Sequence, residues 1–290
     1  MWKYQLQLHF LIFLWSFTGI LGKLISFEAL ALVFWRVFFT FIILLIVLLL
    51  LKKDIVPRGK SLWKFLVAGM VIGLHWILFF GAIKASNVSI ALSTLSTGAL
   101  FSAFLEPLFF KRKIAQYEVF LALIVVGCLL LIFNTNPQYW VGIVMGVLCS
   151  FLSAVFSIFN SFLRRDYPSS QITLYEMLGG FLLVSVFLLA TNNTSDLLHF
   201  QGNDLLWLII LAGALTAYPM VHSVHLLKYF SPYSFLLAIN LEPVYGVILA
   251  YFIFGESERM SPLFYIATAV MLLVIVCNEV IKHRKKKSNE

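Results

Sequence analysis

Residues 228–259 read KYFSPYSFLLAINLEPVYGVILAYFIFGESER. Between Pro232 and Phe254 the stretch holds a single residue charged at neutral pH, Glu242, followed at once by Pro243. As a helix rising 1.5 Å per residue it would reach roughly 34 Å, a little more than the ~30 Å hydrocarbon core of a bilayer. A helix on the surface of a soluble protein would carry a polar stripe along one face. This stretch carries none, and Lys228 and Glu256 to Arg259 bound it with charge. It reads as a membrane span.

The same reading applied outward finds ten such runs. They extend over Leu6 to Gly22, Ala29 to Leu51, Trp63 to Ile83, Val88 to Phe110 and Tyr117 to Phe133, then Trp140 to Leu163, Ile172 to Ala190, Leu205 to Leu227, Pro232 to Phe254 and Pro262 to Ile281. Composition agrees, since 61% of the 290 residues are hydrophobic and 12% are charged, against about 25% charged in soluble domains. The expected class is an all-α membrane protein of ten transmembrane helices, with the lipid bilayer as its surroundings. The net charge of +8 does not indicate nucleic acid, because the basic residues punctuate apolar runs rather than covering one face. Cys128, Cys149 and Cys277 lack C-x-x-C or metal-ligand spacing, so neither a disulfide framework, a metal nor a cofactor is expected. Lys3 and the apolar run after it resemble a signal peptide but lack an A-x-A-like cleavage site, which predicts a retained helix.

Lys and Arg near span ends stay in the cytoplasm. With the N-terminus inside, only Lys23, Lys84 and Arg259 of the 21 Lys and Arg residues fall in outer segments, and Arg36 lies within a span. One missed span would reverse every later segment, so this bias supports the helix count. Both termini are expected in the cytoplasm and the protein in the plasma membrane, the inner membrane of a bacterium.

An internal repeat is visible. Lys84-Ala-Ser86-Asn-Val-Ser89 opens the fourth span as Lys228-Tyr-Phe-Ser231-Pro-Tyr-Ser234 opens the ninth, and Phe34-Trp35-Arg36 corresponds to Leu174-Tyr175-Glu176. The halves are 1–136 and 137–290. Five spans is an odd number, so the second half enters the membrane upside down, the inverted repeat that recurs in secondary transporters.

With these features the chain resembles the ten-span EamA-type members of the drug/metabolite transporter superfamily. The resemblance covers nearly the whole chain and rests on the five-plus-five layout, Arg36, Leu241-Glu242-Pro243, Phe254-Gly255-Glu256 and the basic tail Lys282 to Lys287. The first half departs from the pattern: Thr97-Gly98-Ala99 stands where such families often place Pro in the fourth span, and Lys111-Arg112-Lys113 replaces the Gly-Glu closure. The resemblance implies export of a small metabolite, with amino acids the first class to test.

Depth selects the candidate binding residues. An ionisable group at membrane depth is costly and faces the bundle interior or water. Arg36 lies ~10 Å below the outer boundary and Glu242 ~15 Å deep, close enough to interact directly or through substrate, whereas Glu176 lies ~6 Å above the inner boundary. His75 and Trp76, ~18 Å into the third span, share their middle depth with Trp15 and Thr97. Tyr218 adjoins Pro219, and Asn240 lies close to Pro243, whose missing amide frees the carbonyl of Ile239. These eight residues, Trp15, Arg36, His75, Trp76, Thr97, Tyr218, Asn240 and Glu242, are the expected substrate lining. Ser93 with Thr97 and Ser153 with Ser157 have i, i+4 spacing that serves helix packing as well as a substrate path. Glu106, Asn160, His222, Asn278 and Glu279 fall near the cytoplasmic boundary, where water would solvate them. His222-x-x-His225 has metal-compatible spacing but no third ligand at its depth. Gly69-x-x-x-Gly73 and Gly142-x-x-x-Gly146 permit close helix approach.

The chain contains no G-x-x-x-x-G-K-[ST] motif. Energy for transport would therefore come from a gradient or from the substrate itself, and the expected activity is alternating access, with Glu242 or His75 the candidate proton carrier beside uniport or exchange. A lipid or glycolipid flippase would use the same bundle. A membrane-embedded enzyme would need a convergent nucleophile and base or a metal triad, for which His75 near Ser93 and Thr97 is the nearest approach.

Overall fold

The computed structural model describes residues 2–56, 61–111, 116–192 and 194–288. Arg58, Lys60, Arg112 and Lys113 lie outside the described residues, as do the side chains of Asn278, Glu279 and 282–287. Among the described residues the chain is helical without strands: α1 (Trp2–Leu24), α2 (Ala29–Leu50), α3 (Leu62–Ala85), α4 (Val88–Leu95), α5 (Gly98–Phe110), α6 (Gln116–Thr135), α7 (Trp140–Asp166), α8 (Ser169–Ala190), α9 (Asp204–Ala212), α10 (Tyr218–Leu226), α11 (Pro232–Ile239), α12 (Glu242–Phe254) and α13 (Pro262–Ser288). Taken as continuous spans, eight of these stretches are long and apolar enough to cross a membrane, and two shorter apolar helices, Leu123–Thr135 and Pro262–Val274, accompany them. Large apolar side chains such as Leu50, Leu108 and Phe252 are exposed, an exterior that suits lipid and not water. The protein is a multi-pass membrane protein.

Glycine sets the closest helix crossing. A Cβ on Gly69 of α3 would run into the backbone of Glu176, and one on Gly179 of α8 into the backbone of Leu66. Gly73 faces Gly180 at the same seam. Without a hydrophobic driving force between helices in lipid, such close backbone approach supplies the packing. Gly142 and Gly146 of α7 leave room instead for the side chains of Ser86 and Thr94. Both glycine pairs are thus architectural.

The fourth and ninth spans are each interrupted, and the interruptions match. α4 and α11 have 8 residues each, α5 and α12 have 13. Side chains cap both first pieces: Asn87 accepts from the Ile90 amide at 2.8 Å and Ser231 from the Ser234 amide at 3.2 Å. At the joints the usual four-residue ladder gives way to three-residue bonds, from the amide of Thr97 to the carbonyl of Thr94 and from that of Leu241 to that of Ala238, both 3.1 Å. In the ninth span the cause is Pro243, which has no amide hydrogen and crowds the carbonyl four residues earlier. The fourth span reaches the same geometry with no proline at its joint, Pro107 lying further along α5. There the Thr97 hydroxyl donates to the Thr94 carbonyl at 2.8 Å, and Gly98 begins the next piece. Hydroxyl back-bonding of this kind competes with the helical ladder.

Candidate functional site

Between α9 and α10 the chain makes a π-helical turn, Gly213–Ala217, a distortion that frequently marks functional sites. It brings Thr216 to Arg36. The Thr216 hydroxyl donates to the Leu211 carbonyl at 2.6 Å and accepts from Arg36 Nε at 2.9 Å. Arg36 is 1% exposed, and its guanidinium carbon lies 4.0 Å from the centre of the Trp76 ring and 5.4 Å from that of Phe80. The face of an aromatic ring attracts a cation, by about 2 kcal/mol when the pair is desolvated. One guanidinium nitrogen, Nη1, remains buried without a hydrogen-bond partner.

Arg36 and Trp76 border a cavity of about 80 Å³ inside the bundle, which Trp15, His75 and Glu242 also line. The charges of Arg36 and Glu242 attract one another, yet among the described residues no direct hydrogen bond or ion pair joins them. His75 is fixed by Nδ1 against the Cys149 carbonyl at 2.8 Å. A carbonyl only accepts, so Nδ1 carries the proton. The remaining wall is mainly apolar and aromatic, with Phe79, Phe156 and Phe235, broken by hydroxyls on Ser153, Ser157 and Ser223. Such a wall with a few converging polar groups is the usual make-up of a small-molecule site.

Five of the eight expected residues thus converge: Trp15, Arg36, His75, Trp76 and Glu242. Thr97, Tyr218 and Asn240 lie outside this lining. The Thr97 hydroxyl bonds that of Ser150, joining α4–α5 to α7. Tyr218, 42% exposed, packs its ring 4.1 Å from His222. Asn240 is buried at the joint of the ninth span with Nδ2 unpartnered. Ser153 and Ser157 face the cavity, so their spacing marked a lining as well as packing.

Among the described residues Glu106, Glu176, Asp204 and Glu258 are buried carboxylates outside the cavity, and two of them are 0% exposed. Glu258, in the 3₁₀ turn after α12 and 0% exposed, accepts from the amides of Val88 and Ser89 at 3.2 and 2.9 Å, from the Ser89 hydroxyl at 2.9 Å and from Lys23 Nζ at 2.7 Å. It therefore ties the start of α4 to the end of α1, and negative charge is stabilising at a helix N-terminus. Its position in a short polar segment gave no sign of this. Glu176 of α8, also 0% exposed, accepts from Asn160 Nδ2 at 2.7 Å. Asn160 was expected in interfacial water but is fully buried against α8. Among the described residues no group of three or more His, Cys, Asp or Glu is placed to hold a metal.

No curated protein matches the chain. Of 28 matching chains of solved structures, one titled "Crystal structure of protein" aligns with a TM-score of 0.66 over 94% of this chain and 96% of its own, at 15% identity, a likeness of fold alone. The model of the EamA-like transporter family matches twice in succession, over residues 4–134 and 140–278. With two matched repeats covering nearly all of a membrane-spanning chain that is helical without strands among the described residues, the protein belongs to the EamA-like transporter family.

Proposed function

We propose that the protein is a secondary transporter that exports a small metabolite by alternating access, and that its substrate is an amino acid or a related zwitterion. The carrying observation is a partly open cavity lined by both Arg36 and Glu242, which do not bond each other, with Nη1 of Arg36 buried and unpartnered. A carboxylate on the substrate would complete Arg36 and an ammonium group would complete Glu242, leaving the aromatic wall for the side chain. The cavity has room for roughly half a dozen waters, which suits a small solute. In this reading the chain is a transporter without chemistry, built as two inverted five-helix repeats, 1–136 and 137–290, with ten spans and both termini in the cytoplasm of a cell whose plasma membrane it occupies. The matched joints of the fourth and ninth spans support that symmetry, and the distribution of Lys and Arg supports that orientation.

The test is counterflow. Purified protein in liposomes loaded with unlabelled amino acids is expected to take up labelled amino acid without altering it, and Glu242→Gln is expected to reduce uptake at least tenfold. Uptake by Glu242→Gln at the wild-type rate would overturn the assignment of the site.

A further inference from the structure

Glu176 is a buried carboxyl group that the proposed substrate site does not use. Its Oε1 accepts from Asn160 Nδ2, while Oε2 and the amide oxygen Oδ1 of Asn160 are both buried without a hydrogen-bond partner. Two side chains already joined by one bond therefore carry two acceptors and lack one donor. α8 packs against α2, α3, α7 and α10, whose basic groups are Arg36, Lys64, His75, Lys84, Arg164, Arg165, His222 and His225. Among the described residues none of them bonds Glu176. Arg36 is held by Thr216 and Trp76, His75 by Cys149, Arg164 by Tyr167 and His225, and His222 by Tyr218; Lys64 is exposed. An ionised carboxylate left without a cation in such a place would cost several kcal/mol. One hydrogen on Oε2 removes the charge and also supplies the missing donor.

Position adds a second argument. On α7, Ser157 lines the central cavity, Ser161 lines an open groove of about 660 Å³ beside Arg164 and Lys228, and Asn160 sits between them. Leu227 borders both spaces. The Glu176 and Asn160 pair thus packs against the one helix, α7, that lines both spaces, so a movement of α7 that joins them would also disturb the pair.

We propose that Glu176 with Asn160 is a proton-binding site coupled to transport, loaded while α7 and α8 are packed together and unloaded when a movement of α7 admits water. Loading forms one O–H bond on Oε2 with a proton from water, and unloading returns the proton to water, so no other reactant is required. The coupling rests on the transporter reading above; the proton site itself does not.

Infrared spectra of the full-length protein in liposomes should show the stretching band of a protonated carboxyl group at neutral pH. The band should disappear in Glu176→Gln, persist in Glu242→Gln and shift in Asn160→Ser, which weakens the partner without removing the acid. A band that Glu176→Gln leaves intact, or that Asn160→Ser leaves in place, overturns the site. Glu176→Gln should retain counterflow but lose accumulation driven by an imposed pH gradient, and wild-type accumulation in that variant would overturn the coupling. Absence of counterflow in the wild type would instead sink the transporter reading, with the infrared result still deciding the proton site.

Discussion

Arg36 and Trp76, on different helices, form a stacked pair: the guanidinium carbon sits 4.0 Å from the ring centre, and both side chains are nearly sealed from solvent. The stack and the Thr216 bond orient the cation while leaving one nitrogen free. Arg36→Lys retains the charge but loses the planar stack and the Nε donor. Substrate affinity should fall by at least tenfold, the equivalent of about 1.4 kcal/mol. Trp76→Phe, which keeps a ring, should lose less than Trp76→Leu. Equal losses for the two Trp76 variants, read by equilibrium binding, would show that the ring face is unimportant.

Exchanging the two charges tests how they cooperate. Because Arg36 is held by Thr216 and Trp76 and not by Glu242, the double variant Arg36→Glu with Glu242→Arg should stay as inactive as either single change. Recovery of transport in that variant would demonstrate a direct pair.

The glycine seam between α3 and α8 gives a stability prediction. Gly69→Ala and Gly179→Ala each drive a methyl group into backbone, and overpacking of a close-packed core costs about 1–3 kcal/mol or more. Gly127→Ala on α6 meets nothing within 4 Å and should be neutral, or stabilising by up to ~1 kcal/mol through helix propensity. Thermal unfolding in detergent separates the cases, and a Gly69→Ala protein as stable as Gly127→Ala would refute the seam.

Glu258→Gln weakens the ties from α4 to Lys23. Removing one charge of a buried pair typically costs about 3–5 kcal/mol, and Lys23 is partly exposed, which places the expected loss at or below the lower end of that range. In a background without native cysteines, a cysteine at Ser93 should react faster with a water-soluble thiol reagent once Glu258 is Gln. An unchanged labelling rate would mean that the contact does not govern access.

Much of this was legible in the sequence, for identifiable reasons. Ionisable and aromatic residues in the middle of apolar runs have few places to go in lipid, so Arg36, Glu242, His75, Trp76 and Trp15 could be expected to converge. Depth arithmetic treats each span as a straight rod and places residues along it, but says nothing of which neighbour covers them. Hence Asn160, near one end of its span by count, is sealed by α8. The joint at Thr97 was hidden because its cause is a hydroxyl bonding back to its own helix where proline was the recognised signal. The π-helical turn before Tyr218 was equally silent, since Gly213 and Thr216 look like ordinary members of an apolar run. Glu258 lies outside the spans, where a carboxylate is unremarkable until its partners are known.

A rod with an elbow does not have to tilt as one piece. In each of the two elbowed rods a shorter arm, about 12 Å by helical rise, joins a longer one of about 20 Å at an angle that the joint sets. Arms of equal length in both rods mean that, in the alternating-access reading proposed above, equal swings would produce equal displacements, so neither shape of the molecule need be the more strained. Proline enforces one elbow and hydroxyl chemistry the other, and the two are therefore open to separate adjustment by single substitutions.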